Sequence, residues 1–561
     1  MDSTVDILLK GGQLIDVNSR TIQSIDIGIK DGLFNFDATC GETEIELNGS
    51  YISPGFIDAH MHVESTMLPP ASFANLAIPH GTTAVVLDPH EIANVLGIVG
   101  IELLMQNAKD LPIDCFFTAS SCVPASSLET SGATLLADDL EPLFQQGKVI
   151  ALAEMMNYPG VIQDDPEVMA KISMGLQYGK VDGHCPGLRG EQLKKYINAG
   201  ISSDHESTTA DEALEKLELG MQIYIREGSA AKNLEALLPI ITPENASQIC
   251  FCTDDRHPAD LINEGHIDHI VRKAIKFGIE PVLAISIATK HAANHYELKT
   301  IGSIEHGKKA HFILFDDLQN IKAKEVWHSG RRVAANGKMQ AKCDSNIKWD
   351  VANHTVRLPK NFTPKSFAIQ DESTRIRVIK IIPGQLITEE LHMEAHSIGG
   401  EIVANADLDI LKMAVIERHH QTGNIGLGFV KGFQFKNGAI ASTVGHDAHN
   451  LAIVGDNDSD MHLAAKTLEE AGGGQCVVSK GEIKAVLPLT IAGLMSEEDY
   501  DVVIEQQTTL LNTISSLGCP LKDPFMPLSF LPLSVIPKLK LSDLGLIDVE
   551  QFRIVPLGVD K

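Results

Sequence analysis

Short apolar runs alternate with segments of helical texture through the middle of the chain. The runs end in polar or charged residues and lie at 51–58, 83–88, 114–119, 149–154, 180–183, 200–203, 221–226 and 248–253. Spacings of roughly 20 to 35 residues leave room for one helix after each strand, which is the rhythm of a (β/α)8 barrel. The pattern therefore predicts an α/β protein with such a barrel at residues 53–299.

A different texture flanks this region on both sides. Residues 1–52 consist of short alternating apolar and polar pieces, punctuated by turn signals such as Asp31-Gly32. The same texture returns in an apolar run at 311–315 and a hairpin pattern at 326–333. We expect residues 1–52 and 300–345 to pair as one composite β-domain. Residues 350–561 are long enough for a core of their own, and we expect a C-terminal α+β domain there.

Composition and charge narrow the class of protein. Of the 561 residues, 44% are hydrophobic and 21% are charged, as in ordinary globular proteins. The formal net charge of −28 argues against nucleic acid or an anionic membrane as the partner, because both need a basic surface. Residues 1–3 open no secretory signal, and no apolar stretch is long enough to span a bilayer. The charge remains compatible with a small-molecule substrate. Nine scattered cysteines suit a reducing compartment, so we expect a cytoplasmic protein.

Metal-binding residue types collect at the carboxyl ends of the predicted strands, where barrel enzymes place their active sites. His60 and His62 end strand 1, and side chains two residues apart on a strand point to the same face. Four imidazoles and two carboxylates from such positions suit two neighbouring divalent ions. The later strand ends supply Asp88, His90 and Glu91 (strand 2), Glu154 (strand 4), His184 (strand 5), His205 (strand 6), and Asp254 and Asp255 (strand 8).

Each of these residues also has a purely structural explanation. His184 and His205 could each be a hydrogen-bonded core histidine, and Asp254 could cap a helix that begins at Pro258. Glu154 follows an apolar run and is expected to be buried, which is costly for an unpaired carboxylate. We favour metal ligation because the barrel predicts all these positions independently of their chemistry.

Longer phrases around these residues resemble a known family. His60-x-His62, with a strand-5 His, a strand-6 His and a strand-8 Asp, is similar to the amidohydrolase superfamily. The resemblance to the bacterial adenine deaminase family runs almost end to end; His311 departs from it, because relatives commonly carry Asp there. The phrases that carry it are Gly55-Phe-Ile-Asp-Ala-His-Met-His-Val-Glu-Ser-Thr-Met67, Pro79-His-Gly-Thr-Thr83, Asp88-Pro-His-Glu-Ile-Ala-Asn-Val95, Ala153-Glu-Met-Met-Asn157, Asp182-Gly-His-Cys-Pro-Gly187, Cys252-Thr-Asp-Asp-Arg-His-Pro258, Thr443-Val-Gly-His-Asp-Ala-His-Asn450 and Asp523-Pro-Phe-Met-Pro527.

The resemblance implies a metal-dependent hydrolase that converts adenine to hypoxanthine and ammonia in purine salvage. It implies two divalent ions bridged by Glu154, with manganese or iron favoured and zinc compatible. No carboxylated lysine is available as the bridge, because Lys148 precedes strand 4. Size and family suggest a homodimer or homotetramer. The implied metal ligands are His60, His62, Glu154, His184, His205 and Asp254.

In the implied mechanism, a water shared by the two metals loses a proton and attacks C6 of adenine. Asp254 takes that proton and passes it toward the leaving amino group. The resemblance also suggests that the C-terminal segment 445–450 closes over the barrel mouth, although by itself that segment could be a surface loop. The candidate acids for the purine ring are Glu91, His90 and Asp255; the predicted substrate-binding residues are Asp88 (which could instead help His90 hold an extra metal), Gly187, His446, Asp447 and His449.

Two alternatives remain open from the sequence. Another amidohydrolase chemistry, hydrolysis of a cyclic amide or an N-acyl bond, would use the same binuclear centre. The chain could also be a non-catalytic metal-binding or interaction protein that kept the barrel, although the intact ligand set argues against this. A substrate panel separates the first alternative, and metal analysis coupled to turnover separates the second.

Overall fold

The structure, a computed structural model, describes residues 4–559. Residues 1–3, on which the prediction of no secretory signal partly rests, and residues 560–561 lie outside the described residues. The described chain contains a barrel, an N-terminal sheet, a second sheet built from residues before and after the barrel, and a large C-terminal sheet with its own helices. The predicted α/β class is confirmed, whereas the domain boundaries stay a prediction.

Eight parallel strands form the barrel. Strands 1 to 3 pair with one another, as do strands 4 and 5 and strands 6 to 8. Isolated bridges join Ala119 to Leu152 and Met61 to Asp254, so that strand 3 meets strand 4 and strand 1 meets the end of strand 8. The eight strands are Phe56–Met61, Thr82–Leu87, Asp114–Phe117, Ala151–Met155, Lys180–Gly183, Ser203–Asp204, Gln222–Arg226 and Ile249–Cys252.

Helices surround the barrel and bury its outer face. Proline occupies the first position of several of them, where its missing N–H costs nothing. Among the described residues, no helix is long and apolar enough to cross a bilayer. The helices are Pro70–Ala77, His90–Leu96, Ile98–Asn107, Ala137–Gln145, Tyr158–Ile162, Pro166–Tyr178, Gly190–Asn198, Ala210–Glu218, Leu234–Leu237, Pro258–Asn263, Ile267–Lys276, Pro281–Ser286 and Ala292–His295, the last two joined by a π-helical turn at Ile287–His291.

The first predicted strand, at 51–58, is two strands in the structure. Its first half, Tyr51–Pro54, pairs with Phe312–Phe315 outside the barrel, and its second half becomes barrel strand 1. Gly55 lies between the two strands. Only glycine fits at this position, because a Cβ would lie 2.2 Å from Oγ1 of Thr83. An apolar run does not show where a strand changes its partner, which explains the difference.

The N-terminal residues form a four-stranded sheet of their own, and they share a seven-stranded sheet with residues that follow the barrel. The four-stranded sheet has the order Leu33–Asn35, Ile27–Lys30, Thr4–Lys10, Cys40–Glu46. The seven-stranded sheet has the order Lys338–Met339, Arg331–Ala335, Glu325–His328, Phe312–Phe315, Tyr51–Pro54, Gln13–Asp16, Thr21–Ser24.

The C-terminal region is built on an eight-stranded sheet. Its pairs are antiparallel except for one parallel pair, Arg375–Ile381 with Ile425–Lys431. The strand order is Thr388–Glu394, Arg375–Ile381, Ile425–Lys431, Leu411–Ile416, Leu451–Gly455, Ala439–Ser442, Gly474–Ser479, Glu482–Pro488. Smaller sheets contain Ile369–Gln370, Glu401–Ile402, Ser397–Ile398 and, separately, Leu539–Ser542, Gly545–Asp548, Arg553–Val555; the helices are Asp458–Ala471, Tyr500–Ser516 and Phe525–Phe530.

Hydrogen bonds join the C-terminal region to the loop that follows barrel strand 3. The Ser542 hydroxyl donates to the Leu128 carbonyl at 2.6 Å, and the Asn450 side chain donates to the Thr130 carbonyl at 2.8 Å. These contacts lie on the carboxyl side of the strands, so the C-terminal region covers the mouth of the barrel.

A charged cluster joins strand 3 to the composite sheet at the opposite end of the barrel. The carboxylate of Asp114 lies 2.6 Å from Nζ of Lys309, 3.2 Å from Nε2 of His311 and 3.1 Å from Nε2 of His328. Nδ1 of His311 accepts the Ser329 N–H, so Nε2 carries the proton and donates it to Asp114. Burial alone would raise the pKa of Asp114, but the bonds from His311 and His328 hold it well below its usual range.

We expect Asp114→Asn to lower the free energy of unfolding at pH 7 by about 2 kcal/mol, because it leaves the donors around it without a charge to bind. The pKa of Asp114 is lower in the folded state than in the unfolded state. The contribution of its carboxylate to the free energy of unfolding is therefore complete at pH values above the unfolded pKa. The difference in the free energy of unfolding between the variant and the wild type should therefore decrease as the pH falls below about 4. Urea unfolding measures this. The exposed Asp110→Asn is the matched control, and equal losses in both variants would contradict the assignment.

Candidate active site

A small cavity of about 20 Å³ lies between the carboxyl ends of the barrel strands and the C-terminal region. The barrel supplies most of its charged lining, and the C-terminal region supplies most of its apolar cover. The barrel residues are His62, His90, Glu91, Glu154, Met156, His184, His205, Glu206, Arg226, Asp254 and Asp255. The C-terminal residues are Leu386, His446, Asp447, Phe530, Leu533 and Ile536.

Glu154 lies at the centre of four histidines. Its Oε1 is 3.5 Å from Nε2 of His60 and 3.2 Å from Nε2 of His62. Its Oε2 is 2.9 Å from Nδ1 of His184 and 3.1 Å from Nε2 of His205. One carboxylate oxygen therefore faces the pair from strand 1, and the other faces the pair from strands 5 and 6. A carboxylate that bridges two cations needs this arrangement.

Asp254 joins the strand-1 pair from the other side. Its Oδ1 is 3.0 Å from Nε2 of His62 and 3.7 Å from Nε2 of His60. The backbone N–H of Asp254 donates to the His60 carbonyl, and its own carbonyl accepts the N–H of His62. These bonds hold Asp254 at a φ of +56°, a conformation that Asp tolerates better than most residues.

The orientation of His62 is fixed from behind. Its Nδ1 lies 3.0 Å from the carbonyl of Asp88, which can only accept, so Nδ1 carries the proton. The lone pair of Nε2 is then free to face Glu154 and Asp254, as a metal ligand requires. The Asp88 carboxylate in turn lies 2.9 Å from Nδ1 of His90 and accepts a bond from Ser120.

The donor set fits divalent cations. Among residues 4–559, Nε2 of His60 and Nε2 of His184 are buried without a hydrogen bond, which is costly unless a ligand binds them. Within each of three groups, the potential ligand atoms lie within 4.8 Å of one another. Imidazole and carboxylate ligands suit manganese, iron and zinc. The groups are His60, His62, Asp254; His60, Glu154, His205; and His184, His205, Glu206.

Both candidate acidic ligands, Glu154 and Asp254, are anionic despite their burial. Burial alone would raise the pKa of Glu154, but the charge of His205 and the bond from His184 hold it well below its usual value. Burial alone would also raise the pKa of Asp254. The charge of the Arg226 guanidinium is the main influence that lowers this pKa and keeps it well below its usual value. Ionised carboxylates are the form that binds cations.

Glu91 lies where the barrel meets the C-terminal segment 445–450. Its Oε1 is 2.8 Å from Nδ1 of His446 and 3.3 Å from Nε2 of His90, and its Oε2 contacts Nε2 of His449. The His446 ring stacks on Phe530 with centroids 4.2 Å apart. His446 is 4% exposed and His449 is 0% exposed, so this segment is not a surface loop.

Gly187, predicted to bind substrate, does not line the cavity. Its backbone N–H donates to the Glu212 carboxylate at 2.9 Å, and its φ of +70° accounts for the glycine. Asp88 also lies outside the lining; with His62, His90 and Glu154 it forms a fourth group whose potential ligand atoms lie within 4.8 Å of one another. The other predicted site residues meet around one point, except that His449 reaches it through Glu91.

The sequence reasoning missed Glu206 and Arg226. Arg226 donates to the two carboxylate oxygens of Glu206 at 2.6 and 3.0 Å, and it also contacts Oδ2 of Asp254. Arg226 ends strand 7, so the strand-end rule would have found it, and Glu206 directly follows His205. Leu386 and Phe530 carry no comparable signal, because only the folded chain brings them to the barrel.

Three other buried carboxylates at barrel strands have structural partners instead. Asp204 lies 2.9 Å from Nζ of the buried Lys216, and Asp58 accepts a bond from the Thr253 hydroxyl. Asp182 accepts bonds from two tyrosines and a serine. Their charges are satisfied within the barrel wall, which separates them from the carboxylates that face the cavity.

A barrel with histidines and carboxylates at its strand ends defines a metal-dependent amidohydrolase, and the amidohydrolase family model matches residues 51–345. A second model, of the adenine deaminase C-terminal domain, matches residues 385–553. The adenine deaminase of Desulfatibacillum aliphaticivorans is 43% identical over 558 residues, 99% of this chain and 98% of that protein. That of Methanothrix thermoacetophila is 44% identical over 557 residues, 99% and 97% of the two chains. The chain belongs to the adenine deaminase family.

Solved structures show more distant similarity. A crystal structure of an adenine deaminase is 18% identical, with a TM-score of 0.44, and the match covers 58% of this chain and 99% of that chain. A beta-aspartyl dipeptidase from Fervidobacterium islandicum AW-1 is 17% identical, with a TM-score of 0.45 over 61% of this chain and 99% of that chain.

We expect Glu154→Gln to lose metal and activity together, because a neutral amide no longer compensates the charge of two cations. Loss of a ligand should weaken metal binding by at least about 10- to 100-fold, which metal analysis after dialysis measures. Glu129→Gln is the matched control: this buried side chain lies outside the cavity lining, and its Oε1 accepts bonds from the Ser126 N–H and the Ser534 hydroxyl, which an amide oxygen can also accept. A Glu154→Gln protein with full metal content and full activity would exclude the bridging role.

Proposed function

We propose that this chain hydrolyses adenine to hypoxanthine and ammonia with two divalent metal ions bridged by Glu154. The observation that carries the proposal is the position of Glu154, with one oxygen toward His60 and His62 and the other toward His184 and His205. The full-length similarity to relatives named adenine deaminase supports adenine as the substrate.

In this proposal His60, His62 and Asp254 hold one cation, and His184 and His205 hold the other. The cations, when bound, lower the pKa of a water molecule and stabilise negative charge near it. The overall reaction consumes one water and one adenine and yields one hypoxanthine and one ammonia.

Asp254 is the proposed base. Arg226 binds its Oδ2, which leaves Oδ1 directed toward His62 and the centre of the site. Oδ1 accepts a proton from the attacking water and donates it to the departing amino group at C6. Arg226 therefore acts as a positioning residue, because it orients the carboxylate that moves the proton.

The purine ring must gain a proton when C6 is attacked, and Glu91 with His446 is the proposed source. Burial alone would raise the pKa of Glu91, but His446, His449 and His90 hold it well below its usual value. Burial alone would lower the pKa of His446, but the negative charge of the Glu91 carboxylate raises this pKa well above its usual value. The pair thus holds one proton at neutral pH. Asp255, whose pKa is raised by burial and by Asp254, is the alternative acid.

The metal identity, oligomeric state and compartment complete the proposal. Manganese or iron is favoured by the family resemblance, and the ligands also suit zinc. A homodimer or homotetramer is proposed from size and family. Nine free thiols support a reducing, cytoplasmic compartment.

We expect protein expressed with added manganese to release ammonia and hypoxanthine from adenine, but no ammonia from adenosine or cytosine. Removal of metal by a chelator should reduce kcat by at least about 100-fold, since the activated water is lost, and added manganese should restore it. Ring opening of a hydantoin instead of adenine turnover would support the rival amidohydrolase chemistry. Bound metal without turnover of any substrate would support the non-catalytic alternative.

We expect Glu91→Gln to reduce kcat by about 100- to 10,000-fold, because the amide cannot hold the proton on His446 or relay it. Metal content should remain at the wild-type value, since Glu91 is not among the proposed ligands. Steady-state kinetics and metal analysis on one preparation test both statements. Parallel loss of metal would make Glu91 a ligand and remove it as the acid.

A further inference from the structure

The catalytic cavity is too small for a purine base in this structure. Its volume of about 20 Å³ accommodates about one water molecule. Pockets for drug-sized ligands occupy about 300 to 1,000 Å³. A purine base therefore reaches the metal ligands only if part of the wall moves. The barrel side of the wall is fixed by strand ends, so the C-terminal cover is the side that can yield.

A second cavity of about 300 Å³, here called the vestibule, adjoins the first. It is lined by Ser229 and Ala230 from the loop after strand 7, by residues 381–386, and by residues 520–527. Among the described residues, Leu386 is the one that lines both cavities. Leu386 is therefore the residue at which the vestibule and the catalytic cavity meet.

Leu386 belongs to a short turn between two strands of the C-terminal sheet. This gate turn, residues 382–387, connects Arg375–Ile381 to Thr388–Glu394 and is closed by a bond from the Gln385 N–H to the Ile382 carbonyl at 3.0 Å. Residues 383–385 are exposed, and Leu386 is partly buried. A turn of this kind can move without disturbing the paired strands on either side.

Lys540 fastens the closed arrangement. Its Nζ donates to the carbonyls of Leu386 and Phe530, each at 2.9 Å, so one side chain holds two parts of the cavity cover. The lysine is 0% exposed, and burial lowers its pKa to about 7. The next residue after the turn is anchored separately, because the Thr388 hydroxyl donates to the Leu539 carbonyl at 2.8 Å. The gate turn thus lies between a fixed strand and a single buried latch.

We propose that adenine reaches the site through the vestibule, that Leu386 is the gate between the two cavities, and that Lys540 is the positioning residue that holds the gate shut. The inference rests on the proposed function, because the purine that passes the gate is the substrate of that function.

The gate also determines which purines are accepted. When it closes over the ring, the Leu386 side chain ends the cavity, and a substituent on the ring edge that faces it finds no space. A shorter side chain joins the two cavities and gives that substituent the volume of the vestibule. Leu386 is therefore a specificity-determining residue for bare nucleobases.

The direct test compares Leu386→Ala with wild type on adenine and on adenines that carry one propyl group at C2, C8 or N9. We expect kcat/KM for at least one propyl analogue, relative to adenine, to rise by at least about tenfold, as differences of one or more methylenes in a pocket do. Ile387→Ala is the matched control, because Ile387 lies in the same turn, is 43% exposed and lines neither cavity. No gain with any analogue, or an equal gain in the control, would overturn the gate.

A second measurement does not depend on turnover. Lys540→Met replaces the side chain by an unbranched apolar one that lacks only the terminal donor position, so the Leu386 and Phe530 carbonyls have no donor in the closed state, which favours the open state. Hydrogen exchange at the amides of residues 384–387 should accelerate by at least about fivefold, whereas exchange in the helix Asp458–Ala471 should stay unchanged. Unchanged exchange at the turn would overturn the latch.

The outcomes separate this inference from the function on which it rests. If wild-type protein turns over adenine and Leu386→Ala shows no higher relative kcat/KM for any propyl analogue, the gate is refuted. The deaminase function is not affected by that result. Wild-type protein that does not act on adenine refutes the function, and faster exchange in Lys540→Met would then still support a latched turn over the barrel mouth.

Discussion

The buried carboxylate of Glu154 is the constraint on which the rest of the site depends. A carboxylate without access to water needs positive charge or hydrogen-bond donors next to it. Its side chain is buried at the end of barrel strand 4, and among residues 4–559 no lysine or arginine forms an ion pair with it. Four imidazoles surround it, and a charged histidine such as His205 offsets its charge only as long as it binds no metal ion, because imidazole binds a metal ion in its neutral form. Cations between the two pairs of rings would remove this conflict, and most of the site follows from that requirement.

The barrel meets the requirement through its geometry. Strands 1, 4, 5 and 6 each end at the same rim, so four segments distant in sequence deliver their side chains to one place. The nearby carboxylates Asp58, Asp182 and Asp204 are bound within the barrel wall, and they do not compete for the same ions. Arg226 orients Asp254 from outside the ring of histidines. The composite sheet and its Asp114 cluster hold the opposite end of the barrel and take no part in the site.

How far the sequence predicts this structure depends on the range of the interactions involved. The twofold period of a strand brings His60 and His62 to one face, and the strand-end rule brings Glu154, His184, His205 and Asp254 to one rim. Both rules are local, and the structure places those residues together. The same local reading missed the strand break at Gly55, because a change of strand partner leaves no mark on the apolar pattern. The cover formed by Leu386 and Phe530 is set only by the docking of the C-terminal region.

The central claim is that two cations share Glu154. Anomalous diffraction from crystals of manganese-loaded protein tests it most directly. The account predicts two peaks about 3.5 to 4 Å apart, one beside each oxygen of Glu154, with His60, His62 and Asp254 around the first peak and His184 and His205 around the second. A single peak, or two peaks that leave Glu154 without a metal contact, would contradict it.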